Sequence, residues 1–250
     1  MASGEYAAVA RGLYARGEEG PIFGPLDVDI PSTGLTVFSG PSGSGRTALA
    51  LVLSGRMAPS SGSLEVVGRT ARKDVRRHVA LAGVDQVDEL ERSVRVRDVV
   101  TESKAWASPW YSLVGKARTA DLEKLCAPVF GERPLPELDI YVSELLPLDD
   151  LLLRICFALR PAHGTPPERL VVDDLEQLVD VADQREMVEI LARLAEDLPV
   201  ILTTVNALGA DAPAHFAFAL DQDEDTTGEE SDEPDTAASD ADADAKEDAQ

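Results

Sequence analysis

Gly40-Pro41-Ser42-Gly43-Ser44-Gly45-Arg46-Thr47 decides how this chain is read. The compact apolar run Leu35-Thr36-Val37-Phe38 leads into it, and Ala48-Leu49-Ala50-Leu51-Val52-Leu53 follows without a break. The order is therefore buried strand, glycine-rich loop, helix. Glycines permit positive φ and close backbone approach, so successive N–H groups can wrap a phosphate. The helix starting near Gly45 adds its N-terminal dipole and unpaired donors. Thr47 offers a hydroxyl ligand for Mg²⁺. The spacing is that of a P-loop in which Arg46 stands where the pattern has Lys. Arg keeps the charge but is a longer, planar fork, which suits phosphate binding better than a finely positioned transfer step.

Outward from the loop, strand and helix signals alternate. Tyr6–Ala10, Leu26–Ile30, Ser63–Gly68, His78–Ala82, Arg169–Asp173, Pro199–Thr204 and His215–Leu220 read as strands. The stretch 91–160 is helical by spacing, is interrupted at Pro134 and Pro136, and ends in a buried helix over Leu151–Leu159 stopped by Pro161. A long helix is expected from about Val181 to Glu196. The basic cluster Arg69, Arg72, Lys73, Arg76 and Arg77 reads as a solvated helix face. The fold class is α/β, with a mostly helical insertion.

Composition bounds the rest. The 250 residues hold 46 acids and 23 bases, a net charge of −23, and residues 221–250 alone hold 14 acids and one Lys. That tail has no aromatic residue and no Ile, Leu or Val, so it reads as disordered: either solubilising, or an electrostatic element facing a basic surface. Such acidity argues against a nucleic-acid partner, because affinity for that polyanion comes from Lys and Arg. Cys126 and Cys156 read as reduced, buried thiols. The start has no signal-peptide pattern and no stretch approaches a membrane span, so a cytoplasmic location is expected.

Several segments together resemble the ATPase subunits of ATP-binding cassette (ABC) transporters. Leu53-Ser54-Gly55-Arg56-Met57-Ala58-Pro59-Ser60-Ser61-Gly62 is similar to the segment after the family's P-loop helix. Arg76–Gln86 resembles the strand leading into its Q-loop, and Leu170-Val171-Val172-Asp173-Asp174 its Walker B strand. The resemblance spans about residues 6–220. It implies a nucleotide-binding domain over 1–220, with a β subdomain, a helical subdomain at about 91–160, and the tail outside it.

The resemblance also implies roles. ATP and Mg²⁺ are the cofactors; Gly40, Pro41, Ser42, Gly43, Ser44, Gly45, Arg46 and Thr47 hold the phosphates, and Tyr14 stands near the position that stacks on adenine. Thr47, Gln86 and Asp173 attend the metal. Asp174 takes the place of the catalytic glutamate one methylene shorter, with Gln86 beside it, and Asp180 matches the D-loop aspartate. Two family elements are replaced. Pro147-Leu148-Asp149-Asp150-Leu151 lies where a Leu-Ser-Gly-Gly-Gln signature receives the opposite subunit's γ-phosphate, so Asp149 and Asp150 are expected to repel it. Val205 stands at the switch histidine.

Two functions follow from these expectations. One is an ATP-binding transporter subunit whose hydrolysis is weak or lost, working peripherally at the cytoplasmic face of the membrane with a membrane protein. The other is a nucleotide-binding regulatory or assembly subunit that pairs with another cassette, as a homodimer or heterodimer, or with a membrane protein. A P-loop small-molecule kinase explains neither Gln86 nor Pro59–Gly62. A pseudo-cassette without nucleotide is separable from all of these by titration with an ATP analogue.

Overall fold

The computed structural model describes residues 6–160 and 166–220; the acidic tail and the helix stop at Pro161 lie outside them. The chain opens with an antiparallel ribbon, β1 (Tyr6–Gly17) and β2 (Gly20–Pro31). The two short runs read as strands are only the far ends of this ribbon. Its register slips between Ala10 and Leu13 and again between Leu13 and Ala15. Each slip resets the in–out alternation, so the middle of the ribbon carries no period-two signal. Next, β3 (Leu35–Ser39) passes through the glycine-rich loop into α1 (Arg46–Leu53). The chain then returns as β4 (Ser61–Val66), which pairs with β1 to complete a three-stranded sheet in the order β2-β1-β4.

Helix α2 (Arg72–His78) buries Val75 and exposes Arg72, Lys73, Arg76 and Arg77, a solvated basic face. It feeds β5 (Val79–Ala82). Helices α3 (Val96–Trp106), α4 (Thr119–Phe130) and α5 (Pro147–Leu159) follow. The remaining elements are β6 (Arg169–Val172), α6 (Val181–Leu194), β7 (Val200–Thr204) and β8 (His215–Ala219). Five strands form a parallel sheet in the order β5-β6-β7-β3-β8.

All residues of β5, β6 and β7 are buried, and strands covered on both faces read as continuous apolar runs. Alternate residues serve two different cores. Leu35, Val37, Leu170, Val172, Val200 and Leu202 face the core shared with α3–α6. Phe38, Val171 and Ile201 face the core shared with α1 and the antiparallel sheet. This sandwiching places the β3 carboxyl end, and the loop after it, at the sheet edge where α/β proteins collect their ligands.

Cys126 of α4 and Cys156 of α5 are buried free thiols, and burial together with the neighbouring Cys126 pushes the Cys156 thiol far up. At the start of β6, Arg169 is 0% exposed, and its Nε and Nη1 have no hydrogen-bond partner. Burial lowers its pKa to about 10.

Candidate functional site

The loop is anchored at both ends by backbone bonds. The Gly40 N–H donates to the Thr204 carbonyl of β7 at 3.1 Å, and the Ser44 N–H donates to the Pro41 carbonyl at 3.1 Å. Gly45 has φ 81° and caps α1, and a Cβ there would meet the Ile22 carbonyl oxygen at 2.4 Å. At Gly40 a Cβ would lie 2.6 Å from Ser44 Oγ. Both glycines are thus imposed by close packing, the first also by its left-handed backbone.

Helix α1 has no acidic residue in its first turn and no side-chain cap, so its leading N–H groups are free to meet an anion. Ser44 is 3% exposed, and its Oγ is buried without a hydrogen-bond partner. A buried unpaired hydroxyl costs about 1–3 kcal/mol. An orphan donor inside a glycine cradle, below an uncapped helix, fits a phosphate group.

The acidic side of the site comes from the end of β6. Asp173 is 2% exposed; its N–H donates to the Ala82 carbonyl at 2.9 Å and its Oδ1 accepts the Thr203 hydroxyl at 2.5 Å. Asp174 follows in a left-handed conformation, φ 54°, and its N–H donates to Thr203 Oγ1 at 2.9 Å. That backbone costs a non-glycine residue roughly 1 kcal/mol, which the surrounding bonds hold in place. Asp174 Oδ1 lies 3.4 Å from Arg46 Nη1. Burial raises the Asp174 carboxyl above the ordinary range, nearby Arg46 opposes this, and Glu176, Asp173 and Asp85 reinforce it.

Glu176 completes the group, although no reading of the chain singled it out. Its Oε2 lies 3.4 Å from Arg46 Nη1, while its Oε1 accepts the Thr204 hydroxyl at 2.6 Å and the Val205 N–H at 2.7 Å. The signal available was a third acid within residues 173–176, beside a loop whose base is Arg. The structure therefore brings Arg46, Asp174 and Glu176 together, with Asp173 one residue behind.

Thr47 is exposed on α1, and Gln86 is exposed in the turn after β5 with φ 63°. Among the described residues no hydrogen bond joins either one to Asp173. Tyr14 is half-buried in β1 opposite Ser61, and its carbonyl accepts the Ser60 N–H at 2.7 Å. The ribbon residues that pack on Gly45 are Ile22 and Phe23. Asp180 caps α6, its carboxylate accepting the Ala182 N–H at 2.7 Å.

A second polar group ties the site to the helices. Gln177 donates to the carbonyls of Asp173 and Asp174 at 3.0 and 2.9 Å and accepts from Arg154 Nη1 at 2.9 Å. Arg154 of α5, 5% exposed, holds Asp88 through two bonds of 3.0 and 2.7 Å. At the N-terminus of α5, Asp149 accepts from Arg133 Nε at 2.8 Å, and Arg133 Nη1 donates to Glu186 of α6 at 2.6 Å. Asp150 lies 4.0 Å from Arg154. Both aspartates expected to repel a γ-phosphate thus face a base of their own chain.

A five-stranded parallel sheet, a phosphate loop after its inner strand β3 and an acidic strand end at β6 define the α/β P-loop NTPase fold. Within that class the fold is of the ABC ATPase type. Residues 23–128 match the ABC transporter family model. The Molybdenum import ATP-binding protein ModC of Haemophilus influenzae is 26% identical over 191 residues, 71% of this chain and 48% of that protein. The Cytochrome c biogenesis ATP-binding export protein CcmA of Xanthomonas campestris pv. campestris is 38% identical over 76 residues, 30% of this chain and 35% of that one.

Solved structures show the same fold. For cbiO1 from Clostridium perfringens, part of the ABC transporter complex cbiONQ, the TM-score is 0.62 at 15% identity, covering 81% of this chain and 79% of that one. For a bacterial Atm1-family ABC exporter with ATP bound, the TM-score is 0.59 at 15% identity, covering 88% and 38%. The chain spans about half the length of the ModC relatives it matches.

Proposed function

We propose that this chain is the Mg-ATP-binding subunit of a membrane transporter complex and hydrolyses ATP slowly. The supporting observation is the buried, unpartnered Ser44 hydroxyl inside the Gly40–Thr47 cradle, a group whose cost a phosphate oxygen would remove. Mg²⁺ is commonly bound by one or two protein oxygens plus phosphates, which suits Thr47 and Asp173, and the resemblance adds Gln86 to that role. In this reading Arg46 contributes charge to the bound phosphates and Tyr14 serves the base.

Asp174 is the residue that would orient water. Its carboxylate stands roughly 1–1.5 Å short of a glutamate's reach, and it already faces Arg46. The nucleotide-binding domain is assigned to 1–220, its helical part to about 91–160, and the acidic tail to the remainder. No helix among the described residues is long and apolar enough to cross a membrane. The relatives named as import and export ATP-binding proteins support a place at the cytoplasmic face, reached through a membrane partner.

Titration with Mg-ATP, followed by single-turnover assays with and without co-purified membrane protein, tests this. Binding with turnover far below that of an active cassette is expected, and Asp173→Asn removes what turnover remains. Absence of binding overturns the proposal, and rapid turnover lost in Asp173→Asn overturns the slow-hydrolysis part.

A second reading, a regulatory subunit that pairs with another cassette, is favoured by the α5 N-terminus. There Asp149 and Asp150 face Arg133 and Arg154 of their own chain and offer a partner's phosphate no donor side chain. It predicts that ATP causes no shift to a homodimer on a sizing column.

A further inference from the structure

Glu176 has no part in nucleotide binding as set out above, yet it is among the best-connected carboxylates at the site. Three donors converge on it: Arg46 Nη1, the Thr204 hydroxyl and the Val205 N–H. Thr204 also gives its carbonyl to Gly40, the first residue of the loop, so these donors stand at the loop's mouth. The loop is thus divided into two parts. Its inner part, with the Ser44 hydroxyl and the leading amides of α1, has no internal acceptor. At its outer part, the Arg46 side chain already faces a carboxylate of the same chain.

We propose that Glu176 determines which nucleotide the site takes, favouring a nucleoside diphosphate over the triphosphate. The inference rests on the nucleotide-binding reading and adds a specificity to it. Each further phosphoryl group brings negative charge and needs its own donors. Arg46 is the cation of the loop, and it already faces Asp174 as well as Glu176. A terminal phosphate therefore gains Arg46 only by displacing an internal anion, and meets like charge where it fails to do so. Displacement has room. A cavity of about 280 Å³, lined by Glu176, Val188, Thr204, Leu208 and Pro213 among others, opens beside the carboxylate. The triphosphate is therefore penalised and not excluded.

The test is calorimetric titration of the full chain with Mg-ADP and Mg-ATP, for wild type and Glu176→Gln. The amide keeps an acceptor for Thr204 and Val205 and removes the charge. Wild type is expected to bind ADP at least as tightly as ATP. Glu176→Gln is expected to tighten ATP about tenfold and ADP less than threefold, a change in ratio that a purely structural role for Glu176 does not produce.

Tighter binding of ATP than ADP by wild type overturns the proposal, as does a substitution that shifts both nucleotides equally. If Glu176→Gln fails to fold, the wild-type ratio decides alone. Binding of neither nucleotide to either protein overturns the nucleotide reading itself, whereas binding in the wrong ratio overturns only the role of Glu176.

Discussion

Helices α1 and α5 both begin at points where the resemblance places a phosphate, and the chain treats the two starts in opposite ways. At α1 the first turn holds no acid, and the Ser44 hydroxyl beside it is buried without a partner. At α5 the first turn holds Asp149 and Asp150, facing Arg133 and Arg154. Every helix start offers a partial positive charge and unpaired N–H groups. The first start keeps these available at a cost to the free protein. The second places carboxylates of its own chain in the first turn, where they face Arg133 and Arg154 and leave no donor side chain for a phosphate. What a helix start can bind is therefore decided by the polar groups around it, and not by the helix.

The sharpest way to break the contrast is Gly45→Ala. A Cβ 2.4 Å from the Ile22 carbonyl, at a residue with φ 81°, forces the loop and the ribbon apart. Nucleotide affinity is expected to fall more than 100-fold, and thermal melting to show a loss of about 2–4 kcal/mol. Retained affinity would mean that the cradle is not the binding element.

Arg133→Ala acts at the other start. It leaves Asp149 and Glu186 without their base, so urea unfolding should register a loss of roughly 1–2 kcal/mol, with nucleotide affinity unchanged within about twofold. A fall in affinity would show that the α5 start serves the chain's own nucleotide after all.

Ser44→Ala should separate the two starts by sign. Removing the orphan hydroxyl stabilises the free protein by about 1 kcal/mol while weakening nucleotide binding roughly threefold to tenfold. Melting curves with and without nucleotide would reveal the crossing, and a loss of stability in the free protein would show that Ser44 is satisfied internally.

The smallest effect belongs to Asp150. Burial raises its carboxyl, more than Arg154 lowers it, so the native state favours the protonated form. Its stabilising contribution is present at low pH and lost as pH rises through the raised value. Asp150→Asn is therefore expected to be more stable than wild type at neutral pH, by under about 1 kcal/mol, with the gap closing as pH falls toward about 4. Urea midpoints across that range check it, and a gap that widens on acidification contradicts it.

Much of the fold was legible because its signals are local. The apolar run before Gly40 and the spacing of loop and helix all appear within Leu35–Leu53, and the parallel strands announce themselves as runs buried on both faces. The ribbon was only half legible, since its register slips erase alternation in the middle. In the candidate site, Arg46, Asp173 and Asp174 were readable from the strand-end pattern. Glu176 was not, because a third acid within residues 173–176 is a weak signal in a chain that holds 46 acids.

The sequence by itself determined the order of strands and helices, the glycine cradle, and the replacement of Lys by Arg within it. Backbone propensity and hydrophobic period act over a few residues and need no distant partner. Only the tertiary structure decided where the charges go. It set Arg46 against Glu176, 130 residues away, joined Arg133 to Glu186 across 53, and placed Arg154 on Asp88 across 66. An ion pair depends on the distance between two segments after folding, and no pattern along the chain encodes that distance.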